Sequence, residues 1–259
     1  MRTIESRHNP QVQALRALQT ARGRREAGLF LAEGVKMVRE ALALGLCRTL
    51  IVDSARVGDC AAMIDEAEAV GCEVLGVGAS IMQALSEAKT PQGVACTVAI
   101  PPQPEAIEGR LIVAMDGVQD PGNVGTILRT ADAAGFDGAL LSQACADLYG
   151  AKTLRATMGS VFRVPARRVE DLPGELERMK ARGYAVVATE LGGADFYAHC
   201  PHERAVLVIG SEGRGVSDAV RAVATHHLAL PMRGGAESLN AAVAAGIMIY
   251  EMARERQSE

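Results

Sequence analysis

Three loops marked by glycine and proline carry the side chains in this 259-residue chain that could do chemistry. The first is DGVQDPGNVGTILRTADAAG, Asp116 to Gly135. Its Asp120-Pro121-Gly122 makes a tight turn, and Asn123 is placed to cap a helix that Gly135 stops. Glycines at 122 and 125 let a backbone or a phosphate approach that helix start, and Arg129 lies more than a turn inside it. The second loop, IGSEGRGVS, Ile209 to Ser217, brackets Glu212 and Arg214 between Gly210, Gly213 and Gly215. Its spacing is not G-x-G-x-x-G, and by itself it reads equally as a flexible turn. The third runs from Leu230 to Asn240 through Met232, two glycines and Ser238. No His lies in any of the three, and no Cys or Ser there has a His beside it. Acyl transfer and metal chemistry therefore fit poorly.

The elements that position these loops are legible as a pattern. Apolar strands are expected at Leu111–Met115, Gly138–Leu141, Phe162–Val164, Ala185–Thr189, Ala205–Ile209 and Leu228–Leu230. Helices separate them at Val124–Ala134, Ala151–Met158, Leu172–Arg182 and Val216–Val223. Strands this uniformly apolar belong to a sheet covered on both faces, hence mostly parallel, and such sheets bind ligands beyond their carboxyl ends. The last helix, over Leu239–Tyr250 in an apolar stretch that reaches Met252, has Leu239, Val243, Ile247 and Tyr250 on one stripe and Ala242, Ala245, Ile249 and Met252 on another. A helix apolar on two faces needs two covers, its own sheet and a second surface such as a partner subunit. Asn240 enters that helix only if something hydrogen-bonds it.

Before Pro101 the alternation is shorter. Ser6–Arg25 reads as a helix with Val12, Leu15 and Leu18 inward. Phe30–Val38 passes from strand to helix at Glu33-Gly34. Strands at Leu50–Val52, Glu73–Val77 and Val94–Ile100 alternate with helices at Cys60–Val70 and Ile81–Ala88. PPQPEAIEG, Pro101–Gly109, breaks both ladder and helix. The expected organisation is a small α/β domain at 1–100, a linker at 101–109 and a second α/β domain at 110–259.

Composition narrows the function classes. Hydrophobic residues make up 49%, but Trp is absent and there are only four Phe and four Tyr, so the core is aliphatic and a broad base-stacking platform is excluded. Six scattered cysteines without CxxC or zinc spacing fit reduced thiols in a cytoplasm, with no metal. No apolar run reaches membrane-spanning length. The net charge of −4 hides two basic stretches: the first 25 positions, with Arg22, Arg24 and Arg25, and Lys152 to Arg168, where Lys152, Arg155 and Arg163 stand among no acids. Basic patches on an acidic body suit a polyanion bound at a defined place.

Together, NVGTILRTADAAG, LVIGSEGRGVS and LPMRGGAESLNAAVAAGIMIYE resemble the three signature motifs of the SpoU (TrmH-like) RNA methyltransferases of the SPOUT class, over roughly Leu111 to Ala253. KTLRATMGSVFRVP resembles the family's segment between the first two motifs, and FLAEGVKMVREAL (Phe30–Leu42) its ribosomal-protein-like substrate-binding domain. One departure is Ala241-Ala242, where many relatives carry larger or hydroxyl residues. The resemblance implies a trefoil-knotted, mostly parallel sheet, a homodimer, S-adenosyl-L-methionine as methyl donor and a ribose 2′-OH of structured RNA as acceptor. By analogy with members carrying this appended domain, that RNA is ribosomal before transfer. It implies Asn123, Arg129, Glu212, Ser238 and Asn240 as the catalytic set, without deciding which group takes the proton. Cofactor contacts fall at Gly210, Leu230 and Leu239, with Thr189, Glu190, Leu191 and Met232 around the rim. A dinucleotide-dependent oxidoreductase lacks its G-x-G-x-x-G after the first strand. A non-catalytic RNA-binding homologue would have no need of the intact polar set.

Overall fold

The computed structural model describes residues 1–254; residues 255–259, the end of the expected second domain, lie outside them. The chain divides into two compact units, Met1–Pro102 with Tyr149–Gly159, and Gln103–Leu148 with the chain from Ser160 onward.

In the first unit the strands are β1 (Arg2–Ile4), β2 (Leu29–Glu33), β3 (Cys47–Asp53), β4 (Glu73–Val77) and β5 (Val94–Ala99). They form a mixed sheet in the order β1-β4-β3-β5-β2, with β5 antiparallel to both neighbours. The helix expected over Ser6–Arg25 is two, α1 (Pro10–Ala17) and α2 (Ala21–Ala27). The first ends at Leu18, and Thr20 caps the second, its hydroxyl accepting from Gly23 N at 3.0 Å. Gly23 is required there, because a Cβ would stand 2.0 Å from Ala17 O. Val12, Leu15 and Leu18 are buried as the periodicity predicts. Arg24, read from the sequence as an RNA contact, is buried instead and donates Nη1 to Leu18 O at 2.8 Å. The spacing of α2 turns it inward, while Arg22 and Arg25 stay exposed. Helices α3 (Val35–Ala43), α4 (Ala61–Ala69) and α5 (Ala79–Leu85) complete the local alternation.

The second unit holds β6 (Leu111–Asp116), β7 (Gly138–Ser142), β8 (Ala166–Val169), β9 (Ala185–Asp195), β10 (Ala205–Gly210) and β11 (His226–Ala229). Every pairing is parallel, in the order β11-β9-β10-β6-β7-β8. Central strands β6 and β10 are almost wholly buried, as two-sided cover demands. The strand expected at Phe162–Val164 forms four residues later, at Ala166–Val169. Pro165 has no N–H for a ladder, so the chain turns through Ser160–Phe162 first. Helix α6 (Pro121–Ala133) is capped by Asp120, not Asn123: the Asp120 carboxylate accepts from Asn123 N at 3.0 Å. Gly135, at φ 75°, ends it as expected.

Helix α7 (Ala151–Thr157), which the sequence places between the strands of the second unit, packs in the first, against β2. Leu154 is buried there, and Tyr149 stacks on the buried Phe30 ring at 4.9 Å. Arg155 is drawn to Glu33 at 3.7 Å and to Glu87 at 3.9 Å. In the second unit Arg163 pairs with Asp132 at 2.6 Å. Both were expected to face RNA; both are held by acids distant in sequence. Lys152 remains exposed on α7. Helices α8 (Leu172–Ala181), α9 (Phe196–His199), α10 (Asp218–Val223) and α11 (Ala241–Met252) cover the second sheet or flank its edges.

Phe30 fixes the returning segment to its sheet, so Phe30→Ala should cost about 3–5 kcal/mol in urea unfolding and deprotect the α7 amides in hydrogen exchange. A loss below about 1 kcal/mol would mean that the Tyr149–Gly159 segment is not held by this contact.

Candidate active site

At the carboxyl ends of β9, β10 and β11 lies a cavity of about 980 Å3. Its walls come from three backbone excursions. Thr189–Gly192 bulge within β9 where its register with β11 slips, the pair His227–Ala188 being followed by Leu228–Ala194. Ile209–Val216 turn back after β10, with reciprocal bonds between Ser211 and Gly215, and Ser217 N bonds Asp116 at 2.8 Å. Gly210 admits no side chain, since a Cβ would lie 2.0 Å from the Gly215 carbonyl carbon. Ala229–Met232 and Glu237–Asn240 form the third wall, and Ala241, Ala244 and Met248 of α11 are the floor. All seven residues expected at the cofactor, Thr189, Glu190, Leu191, Gly210, Leu230, Met232 and Leu239, line this one space.

Glu212, Ser238 and Asn240 line it too. Because Asp120 caps α6, the Asn123 amide is free to turn outward. It donates Nδ2 to Glu212 Oε1 at 2.7 Å and accepts from Asn240 Nδ2 at 3.1 Å. Asn240 in turn caps α11, its Oδ1 accepting from Ala242 N and Val243 N. The amide that had no reason to enter an apolar helix is thereby satisfied at both ends. Burial pushes the Glu212 carboxyl up, but the Asn123 amide and the backbone N–H groups of Glu212, Gln119 and Asp120 outweigh it and hold it below the ordinary carboxylate value. Arg129 does not join this chain. It is exposed on α6 and makes no hydrogen bond or ion pair to any described residue.

The sequence reading missed the two partners of Glu190, His227 and Arg221. Glu190 has His227 Nδ1 at 3.1 Å and Arg221 at 3.9 Å, while Arg221 also pairs with Asp218. Neither His227 nor Arg221 lies in a motif with a glycine signal; only the β9–β11 pairing brings them together. Glu190, Glu212 and Glu237 make the cavity acidic, and Leu191, Ile209, Leu230, Met232 and Met248 give it apolar surface. An acidic, partly apolar pocket suits a ligand with a cationic centre and a flat apolar ring. Among the described residues no group of three His, Cys, Asp or Glu could hold a metal, and no helix is long and apolar enough to cross a membrane.

A cavity of this kind beside the strands of a buried parallel sheet defines a small-molecule site of an α/β enzyme. Residues 110–250 match the SpoU rRNA Methylase family, and residues 9–96 match the MRM3-like substrate binding domain. The chain belongs to the SpoU rRNA methylase family. It is 37% identical over 255 residues to the 23S rRNA (guanosine(2553)-2′-O)-methyltransferase RlmP of Bacillus subtilis, covering 97% of this chain and 99% of that protein. The AdoMet complex of the SpoU methyltransferase AviRb from Streptomyces viridochromogenes superposes with a TM-score of 0.88 at 32% identity, covering 97% and 99%. The AdoMet-bound rRNA methyltransferase from Sinorhizobium meliloti gives 0.84 at 35%, covering 98% and 97%.

The lowered Glu212 pKa is a measurable consequence of the Asn123 bridge. A carboxyl depressed in the folded state stabilises it above the unfolded value, about 4.3, and that contribution is lost as pH falls through the folded value. In a carbon-13 titration Glu212 should ionise below an ordinary glutamate, and Asn123→Ala should move it upward. An unchanged midpoint in the variant would remove the bridge from the account.

Proposed function

We propose that this protein transfers a methyl group from S-adenosyl-L-methionine to a ribose 2′-OH of structured RNA, ribosomal RNA before transfer RNA. The observation that carries the reading is the Glu212–Asn123–Asn240 chain at the rim of the 980 Å3 cavity. The cavity fits the donor: its carboxylates suit the sulfonium and ammonium groups, its apolar wall suits the adenine, and the missing side chain at Gly210 lets the Ser211–Gly215 turn close into a wall. When bound, S-adenosylmethionine supplies an electrophilic methyl on a leaving group that departs uncharged. The name of the Bacillus subtilis relative supports both the 2′-O position and the ribosomal substrate.

The protein then has to align the attacking oxygen, and positioning of this kind can supply about 7–11 kcal/mol of a barrier. Asn123 and Asn240 hold each other at the rim, and Ser238 adds a hydroxyl beside them to orient the ribose. Glu212 is a positioning residue: a carboxyl held below its ordinary value is a weak base, but it fixes which way the Asn123 amide faces. A guanidinium offers donors and no acceptor, so the role of Arg129 is to grip the phosphate beside the target ribose and to stabilise negative charge as it develops.

Further parts of the proposal concern assembly and recognition. Leu239, Val243, Ile247 and Tyr250 are 39%, 52%, 37% and 47% exposed in a single chain, while Ala245, Ile249 and Met252 on the other stripe are fully buried. An exposed apolar stripe along the floor helix supports a homodimer closed on α11. The trefoil threading implied by the family resemblance belongs to the same reading, supported by three C-terminal segments closing on one cavity. The N-terminal unit would read the RNA, with exposed Arg22, Arg25 and Lys152 as contacts, supported by its match to a substrate-binding domain. A cytoplasmic location belongs to the same proposal, supported by the ribosomal substrate in the name of the Bacillus subtilis relative.

Tritiated S-adenosylmethionine incubated with unmodified ribosomal or transfer RNA tests the reaction. Label is expected in ribosomal RNA, in an alkali-stable dinucleotide, because a 2′-O-methyl blocks cleavage of the adjoining phosphodiester. Label in transfer RNA alone sinks the ribosomal preference, label in a base sinks the 2′-O position, and no label leaves a binding protein. Arg129→Ala should lower kcat at least about a hundredfold while calorimetric cofactor affinity is unchanged.

For the dimer, light scattering should report twice the chain mass, and Val243→Asp with Ile247→Asp should give an inactive monomer. An active monomeric wild type would end that part of the proposal.

A further inference from the structure

The second unit sorts its cations into two kinds. Almost all are consumed internally: Arg163 by Asp132, Arg167 and Arg178 by the buried Glu175, and Arg168 by the carbonyls of Ser142, Gln143, Cys145 and Ala146. The other described Lys and Arg of this unit likewise meet a carboxylate or a carbonyl. Three do not: Arg129, Arg214 and Arg233 have no hydrogen bond or ion pair from their side chains to any described residue, and all three are exposed. Arg129 lies on α6, whose Asn123 is tied to Glu212 and Asn240 of the cavity, while Arg214 and Arg233 belong to the second and third stretches that wall it.

Their placement is not that of loose surface charge. Arg214 lines the cavity at the tip of a turn closed by Ser211 N to Gly215 O at 3.0 Å and Gly215 N to Ser211 O at 2.9 Å, and its own N–H bonds Ser211 Oγ at 3.3 Å. Glu212, two residues earlier, is tied to Asn123 on α6. Arg233 follows the lining residue Met232 and precedes the lining residues Glu237 to Asn240. The cavity holds Glu190, Glu212 and Glu237, yet none of these acids takes up Arg214 or Arg233. Free guanidinium groups beside an acidic, cation-receiving pocket separate two binding functions, one for the donor inside and one for an anion at the mouth. An extended polyanion meets separated cations, and a guanidinium offers each phosphate a two-pronged donor.

We infer that Arg214 and Arg233 are phosphate clamps that position the RNA backbone across the cavity mouth on either side of the nucleotide to be modified. The inference rests on the RNA methyltransferase reading above and adds residues to it. It also moves the phosphate contacts of this unit away from Arg163, whose charge Asp132 occupies. Such contacts are indifferent to base sequence and fix register rather than identity.

The test uses the full-length protein, a fluorescent random-sequence 20-nucleotide RNA, and binding measured by anisotropy over a series of KCl concentrations. Each neutralised phosphate contact on a single strand contributes about 0.7 to the slope of log K against log salt. Arg214→Ala and Arg233→Ala should therefore each flatten the slope by about 0.7, and the double variant by about twice that. Arg182→Ala, which removes a cation already paired with Glu108, should leave the slope as in wild type. Cofactor affinity by calorimetry should be unchanged in all of them. An unchanged slope in the double variant overturns the clamp, and so does a loss of cofactor affinity in Arg214→Ala, which would assign that residue to the donor's carboxylate. Methyl transfer to ribosomal RNA by wild type is measured alongside: its absence would sink the proposed reaction, while the salt slopes would still decide the clamp.

Discussion

The Asn123 side chain is the point on which the site depends. Its amide faces a carboxylate at 2.7 Å on one side and another amide at 3.1 Å on the other, so three segments distant in sequence are held by one group. A hydrogen bond to an ionised acceptor contributes about 1.5–3 kcal/mol, more than a neutral pair. The larger effect is directional. Glu212 can only accept, so it forces the Nδ2 end of Asn123 toward itself and leaves Oδ1 for Asn240. Asn240 then spends its own oxygen on the first N–H groups of α11. The helix that floors the cavity is thus registered against the loop that walls it.

This arrangement separates two electrostatic tasks within a short distance. Three glutamates line the cavity against two arginines, of which Arg221 is neutralised by Asp218 and shared with Glu190, while Arg214 stands at the tip of its turn without an internal partner. Outside, the cations on the same loops are left without internal partners. A pocket for a sulfonium donor and a surface for a phosphodiester need opposite fields, and loops built on backbone turns can present both because a side chain need only point the other way. The glycines matter for this reason: at Gly210 there is no room for any side chain, and the wall is backbone alone.

The N-terminal unit shows how charge read from a sequence is redistributed on folding. The stretch from Lys152 to Arg168 looks like one basic patch, but it belongs to two bodies. Its first part packs as α7 on β2, where Glu33 and Glu87 meet Arg155, and the rest continues into β8, where acids and carbonyls absorb it. Arg24 was lost to the surface in the same way, by a helix phase that buried it beside Leu18. Charge density along a chain measures potential contacts, and acids brought in from elsewhere decide how many remain available.

The strands, most helices, the break near Pro101 and the three loops could be read from the chain alone, because each depends on neighbours in sequence: apolar runs, alternation, and glycine or proline at turns. The two stripes of α11 were legible for the same reason, and the structure buries one and exposes the other. The resemblance of three motifs also named the residues that line the cavity. What could not be read locally was set by contacts between distant segments. Asn123 was expected to cap its own helix; Asp120 does so, and the freed amide joins Glu212, 89 residues on. Tyr149–Gly159 returned to the first unit because Phe30 and β2 offered it a face. The Glu190–His227–Arg221 wall exists only because β9 lies beside β11 with a slipped register. Local propensity selects an element, but partners for buried polar groups come from wherever the fold places them.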